Sequence, residues 1–147
     1  VLYASAVVTA KQIITAVDAI AVFYKPLSIR LFGSYAYGTP NADSDVDLLV
    51  LKNFIGTPHS QFVKVRMGLD VAFPLDLLVR RPAVVQHRIR YNDFFLREVM
   101  EKGIVLYDAG DAGPGEKGRR RLRRHLAAGE VKSCRRFRDA ARSSLGL

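Results

Sequence analysis

A Gly-Ser step, Gly33-Ser34, precedes two aspartates, Asp45 and Asp47, that have a single valine between them. Carboxylates two apart on an extended strand project to the same side. Like charges held that close repel unless a cation lies between them. Hard cations such as Mg2+ take carboxylate and phosphate oxygens as ligands. A glycine lets backbone come close to a ligand, and a serine opening a helix adds a hydroxyl to free backbone N–H groups, a combination suited to phosphate. Together these features describe phosphoryl or nucleotidyl transfer with two metal ions about 3.5–4 Å apart. Such chemistry needs a further carboxylate near the attacking hydroxyl. Asp76, inside the apolar run FPLDLLV, is the expected third member, because a carboxylate buried there needs a metal or hydrogen-bond partner. Asp70, at the turn-like GLD, is a weaker rival. Asp43 keeps the alternation but follows Pro40-Asn41 and reads as a turn residue. Tyr35 and Tyr37 either stack on a base or pack locally, and Arg80-Arg81 either meet a triphosphate or are solvated.

The pattern of apolar residues says which elements hold this constellation. Residues 4–24 have helical periodicity, with Ile13, Ile14, Val17, Ile20 and Tyr24 on one side, and Pro26 ends the run. LSIRLFG, 27–33, reads as a strand, Ser34 to Tyr37 as one turn of helix closed by Gly38, and TPNADS as loop. DVDLLVLK, 45–52, is a second strand. A helix is expected over 58–69 and a third strand over 72–80, with Pro74 favouring an edge. Two helical segments, 82–89 and 92–102, and a last strand, 104–108, complete the body. The expected fold class is α/β (α+β): a small mixed sheet with helices mainly on one face.

The chain's 147 residues suit one domain with an appendage, and an apolar content of 49% is enough for a core. Its net charge of +9 is uneven, since residues 115–147 hold 11 Lys/Arg against 3 Asp/Glu, so the body is nearly neutral. The expected organisation is a body over 1–108, a linker over 109–118 rich in glycine, and a basic extension over 119–147, helical or disordered and without a wide apolar face. A basic extension of this kind is either simply solvated or suited to weak, non-specific RNA binding. The single cysteine, Cys134, rules out an internal disulfide and fits a reducing, cytoplasmic compartment. No run reaches the length of a membrane span, and the apolar N-terminus lacks the basic region of a signal peptide.

Gly33-Ser34, Asp45-Val46-Asp47 and the later Asp76 resemble the DNA polymerase beta-like nucleotidyltransferase superfamily. FGSYAYGTPNADSDVDLLV together with DFFLREVMEKGIVLYD is similar to the minimal nucleotidyltransferases, often antitoxins of two-gene modules whose partner is a HEPN toxin; the likeness spans roughly residues 10–108. The resemblance implies Gly33 and Ser34 as nucleotide-binding, and Asp45, Asp47 and Asp76 as catalytic residues and ligands of two Mg2+ ions. It also implies transfer of AMP from ATP to a tyrosine of the HEPN partner. Tyr37 stands where many relatives carry arginine, and the Arg-rich extension lies outside the family pattern. Two other classes remain open: a small-molecule, aminoglycoside-type nucleotidyltransferase, and a non-catalytic antitoxin or nucleic-acid-binding protein.

Overall fold

Thr9 opens the first helix with a capping box: its hydroxyl accepts from the Gln12 backbone N–H, and the Gln12 side chain accepts from the Thr9 backbone N–H. This reciprocal arrangement satisfies two donors that a bare helix start leaves unpaired, and it sets the start of α1 at Ala10 (Ala10–Tyr24). The computed structural model describes residues 7–111 and 115–128. Lys25, in the left-handed region at φ 53°, and Pro26 end α1. There follow β1 (Ser28–Phe32), the single turn α2 (Ser34–Tyr37), β2 (Val46–Leu51), α3 (Pro58–Met67), β3 (Leu75–Arg80), α4 (Pro82–Arg90), α5 (Phe94–Lys102) and β4 (Ile104–Asp108). A further helix, α6, covers residues 116–128.

The sheet order is β3-β2-β1-β4. β1 pairs antiparallel with both β2 and β4, whereas β2 and β3 are parallel. β3 is therefore an edge strand, as Pro74 suggested. It starts at Leu75 rather than 72, because Pro74 has no N–H for the ladder and contributes only its carbonyl, which accepts from Val46 N at 3.0 Å.

Alternation along the strands divides the interior in two. Ile29, Leu31, Leu48, Val50, Leu77 and Val79 face α1, α3 and α6, forming the larger core with Ile13, Val17, Ile20, Val65 and Leu122. Phe32, Leu49 and Leu51 face the other way and pack with Val85 of α4 and Val99 of α5. Most helices thus lie on one side, and the α4–α5 pair covers part of the other. Asp47 is in phase with Leu49 and Leu51, and Asp76 with Leu78, so both project toward that less covered face.

The C-terminal region differs from its expected form. α6 begins at residue 116, inside the segment read as linker, and it does have an apolar face, though a narrow one. Leu122 is fully buried and Leu126 packs beside it. Gly115 and Gly118 let the helix start press on β4: a side chain at either would overlap the backbone of Val105 or Leu106. Arg119 donates to Leu106 O at 3.2 Å and pairs with Asp18 of α1 at 2.5 Å. The sequence hid this face because two leucines, two glycines and an arginine stem make it up. The remainder of the basic extension, with Cys134, lies outside the described residues. No helix among the described residues is long and apolar enough to cross a membrane.

Candidate active site

Strand register builds the centre of the site. Phe32, the last residue of β1, sits opposite Asp47, and Asp47 is the parallel partner of Asp76. Asp45 is exposed just ahead of β2. The carboxylates of β2 and β3 therefore lie side by side at the end where both strands begin.

Gly33 has φ 74° and ψ −155°, a backbone conformation that only glycine adopts without strain. A Cβ at this position would overlap Asp47 Oδ2. The glycine was expected to make room for a ligand; here it makes room for the carboxylate itself. The same turn puts Ser34, half-buried, at the first position of α2, and Gly33 O accepts from Ala36 N and Tyr37 N at 3.0 and 3.1 Å.

The three carboxylates share one electrostatic field. The pKa of Asp47 is pushed up to about 6, first by burial, then by Asp76, then by Asp45. Each cause disfavours the charged form, and a bound cation would reverse the balance. Among the described residues no three Asp, Glu, His or Cys side chains already converge into a metal cage. What the site offers a hard cation is a set of oxygen donors with excess negative charge, and that donor set fits Mg2+.

One expectation needs correction, and the alternatives left open elsewhere are decided. Asp76 is exposed, not buried in its apolar strand: on an edge strand one face carries the core residues Leu77 and Val79, leaving Asp76 to solvent and to Asp47. Tyr35 cannot stack on a base, being 1% exposed with its hydroxyl accepting from Val8 N at 3.0 Å. Tyr37 packs against both cores. Arg80 and Arg81 leave β3 at the end opposite Asp76. Arg81 donates to Phe54 O at 2.9 Å and Gly56 O at 2.7 Å, so it does not face the carboxylates. Asp43 lies in a turn where its N–H donates to Asn41 Oδ1 at 2.8 Å, as its turn sequence predicts.

One wall of the site was not foreseen. Phe32, beside Asp47, meets the half-exposed ring of Phe95 edge-on with centroids 5.7 Å apart. Arg30 helps hold α5 there by donating to Met100 O at 2.8 Å. The FF pair after Asn92-Asp93 was the available signal, but only the packing of α5 on β1 places it.

Residues 11–106 match the family model described as nucleotidyltransferase domain. No curated protein matches the chain. Among solved structures, a candidate nucleotidyltransferase from Sulfolobus solfataricus is similar at 18% identity and a TM-score of 0.50, over 69% of this chain and 81% of that one. A toxin–antitoxin structure with AMP-PNP is similar at 20% identity and a TM-score of 0.41, over 95% of this chain and 100% of that one.

Proposed function

This chain belongs to the nucleotidyltransferase domain family, and on that ground we propose that it transfers AMP from ATP to a hydroxyl group. The observation that carries the reading is the register pair Asp47–Asp76 with Gly33 folded against it. In this reading Asp45, Asp47 and Asp76 would hold two Mg2+ ions, which when bound would neutralise triphosphate charge and acidify the acceptor hydroxyl. Gly33 keeps the Asp47 carboxylate in place, and Ser34 offers its hydroxyl and backbone N–H to the departing phosphates. The acceptor oxygen attacks the α-phosphorus in line, the bond to the β-phosphate oxygen breaks, and pyrophosphate leaves toward Ser34. Asp76, exposed on the edge strand, takes the acceptor's proton. Positioning and electrostatics account for most of the rate.

The acceptor we propose is a tyrosine of a HEPN toxin, which makes the chain an antitoxin acting by modification in the cytoplasm. Support comes from the likeness of residues 32–50 and 93–108 to minimal nucleotidyltransferases. Weak RNA contact through the basic segment from α6 onward accompanies this role. The test is incubation with ATP labelled at the α-phosphate, with Mg2+ and with the HEPN protein of the neighbouring gene. Label should appear on the partner, only with metal, and not with Asp45→Asn or Asp47→Asn. Labelling that survives in the Asp47 variant at near-parental rate refutes the carboxylate assignment; label on an aminoglycoside instead refutes the acceptor.

A further inference from the structure

At the end of the sheet opposite the carboxylates, α1, α3 and the segment after β2 enclose an open groove of about 640 Å³. Its floor is fixed by polar contacts. Gln61 is buried, and its side-chain oxygen accepts from the Tyr24 hydroxyl. Lys52 donates to Tyr24 O while its ammonium lies 4.0 Å above the Tyr24 ring. An ammonium has three donors, so Lys52 retains hydrogen-bonding capacity toward the groove. Lys64 of α3 also lines it, and no lining residue is acidic. Among the described residues neither lysine is in an ion pair.

The rim is apolar. Ile55 is 96% exposed, Met67 83% and Phe23 42%; Phe23 and Ile55 line the groove, and Phe23 lies against Gly68, next to Met67. Exposed large apolar side chains gathered in one place mark interaction sites, whereas single ones do not. A second copy of this chain is a poor occupant, because it would bring the same lysines against each other. The chain's own basic extension fails for the same reason. Of the three aromatic lining residues, Tyr24 is buried with Lys52 over its ring and Phe54 has Arg81 over its ring, so the groove offers nucleic-acid bases no free run of rings to stack on.

We propose that this groove is a docking site for an acidic, amphipathic helix of a partner protein, its aliphatic side chains on Phe23, Ile55 and Met67 and its carboxylates on Lys52 and Lys64. Such a helix laid in an apolar groove is a common mode of peptide recognition. The site is independent of nucleotidyl transfer: Lys52, just past the end of β2, is five residues from Asp47, about 16 Å for extended chain, so a partner can be held here while the carboxylates stay open.

The test uses the full chain and a 20-residue helical peptide with leucines on one face and glutamates flanking them, against a control with lysines in place of the glutamates. Binding is followed by fluorescence anisotropy and mapped by NMR shift changes. The glutamate peptide should bind, shift Phe23, Ile55, Lys64 and Met67, and lose at least about tenfold in affinity with Ile55→Glu combined with Lys64→Glu. Both positions are on the surface, so folding should be unaffected, and ATP-dependent labelling of an acceptor should be unchanged. The proposal is overturned by no binding of the glutamate peptide at millimolar concentration, by equal binding of the lysine peptide, by unchanged affinity in the double variant, or by single-stranded RNA shifting the same residues more strongly than the peptide. Self-association abolished by Ile55→Glu would overturn it in favour of a second copy.

Discussion

β2 and β3 are parallel, so one end of the sheet gathers their starts and the other their finishes, and the two ends treat charge in opposite ways. At the starts, Asp45, Asp47 and Asp76 stand together, and the Asp47 pKa rises to about 6 from burial and its two neighbours. At the finishes of β2 and β3 the adjoining charges, Lys52, Arg80 and Arg81, are cationic, and each donates to a carbonyl of its own chain. Arg81 binds two carbonyls and lies 4.5 Å from the Phe54 ring centroid; Lys52 sits on Tyr24. A charge kept for stability tends to find a partner in its own chain, because an unpartnered one is costly. The three carboxylates make no ion pair among the described residues, and under the proposed function a bound cation would relieve their conflict.

The largest effect should come from Gly33→Ala. The added methyl meets Asp47 Oδ2 at a backbone angle of φ 74° that alanine disfavours. Nucleotidyl transfer should fall by at least about a hundredfold, since an active-site displacement of about 1 Å has that consequence. Transfer measured at near-parental rate would mean that the turn relaxes without moving the carboxylate, and the contrast between the two ends would lose its structural basis.

Arg81→Ala tests the cationic end. It removes two hydrogen bonds from a charged donor and a ring contact, and should lower stability by about 1–3 kcal/mol, read from denaturant unfolding. Transfer should stay within about twofold, because the lost contacts hold the loop after β2 and not the site. A variant as stable as the parent but catalytically impaired would invert the assignment of the two ends.

A third measurement compares Asp47→Asn with the parent in EDTA across pH. The folded-state pKa of Asp47, about 6, lies above its unfolded value, near 4. Below pH 4 both states hold the proton and the parent bears no cost. Between about pH 4 and 6 the unfolded chain has released the proton and the native one has not, so parental stability falls as pH rises through that window. Asparagine does not titrate. The parent's melting temperature relative to the variant's should therefore decline from pH 4 to 6 and level off above pH 7, and Mg2+ with ATP should recover it in the parent alone. A flat difference would show that Asp47 bears no electrostatic conflict.

The smallest effect belongs to Asp43→Ala, which removes an exposed carboxylate from a turn held by Asn41 and Ser44. Stability should change by no more than about 0.5 kcal/mol and transfer by less than about threefold. Loss comparable to Asp47→Asn would move the ligand set one alternation upstream.

Residue chemistry carried much of this into the sequence. Gly33, Ser34 and the Asp45–Asp47 alternation are local signals, so the strand–turn–strand unit was legible from 27 to 52, with β2 closing one residue early, at Leu51. Asp76 was identified as the third carboxylate for a reason that proved wrong: its apolar neighbours suggested burial, yet an edge strand buries only one face, and parallel pairing with Asp47 is what brings it in. That the strands over 45–50 and 73–79 lie side by side was expected; their register, which sets Asp76 opposite Asp47, joins segments far apart in the chain, and no local pattern records it. Phe95 and α6 were obscured similarly. The wall beside Phe32 depends on how α5 packs, and the α6 contact is made by residues with little apolar character of their own.

α6 also sets an order of events during synthesis. β4 is an edge strand, and an uncovered edge offers its backbone groups to other chains. The helix that lies on it follows β4 in sequence and docks through Gly115, Gly118 and Arg119. At roughly 5–20 residues per second, the ribosome needs about one to four seconds to go from Asp108 to the end of α6 at residue 128. Through that interval the sheet can form with its flank unguarded, and the nascent protein is most open to pairing with a neighbour just before its last described helix closes over the strand.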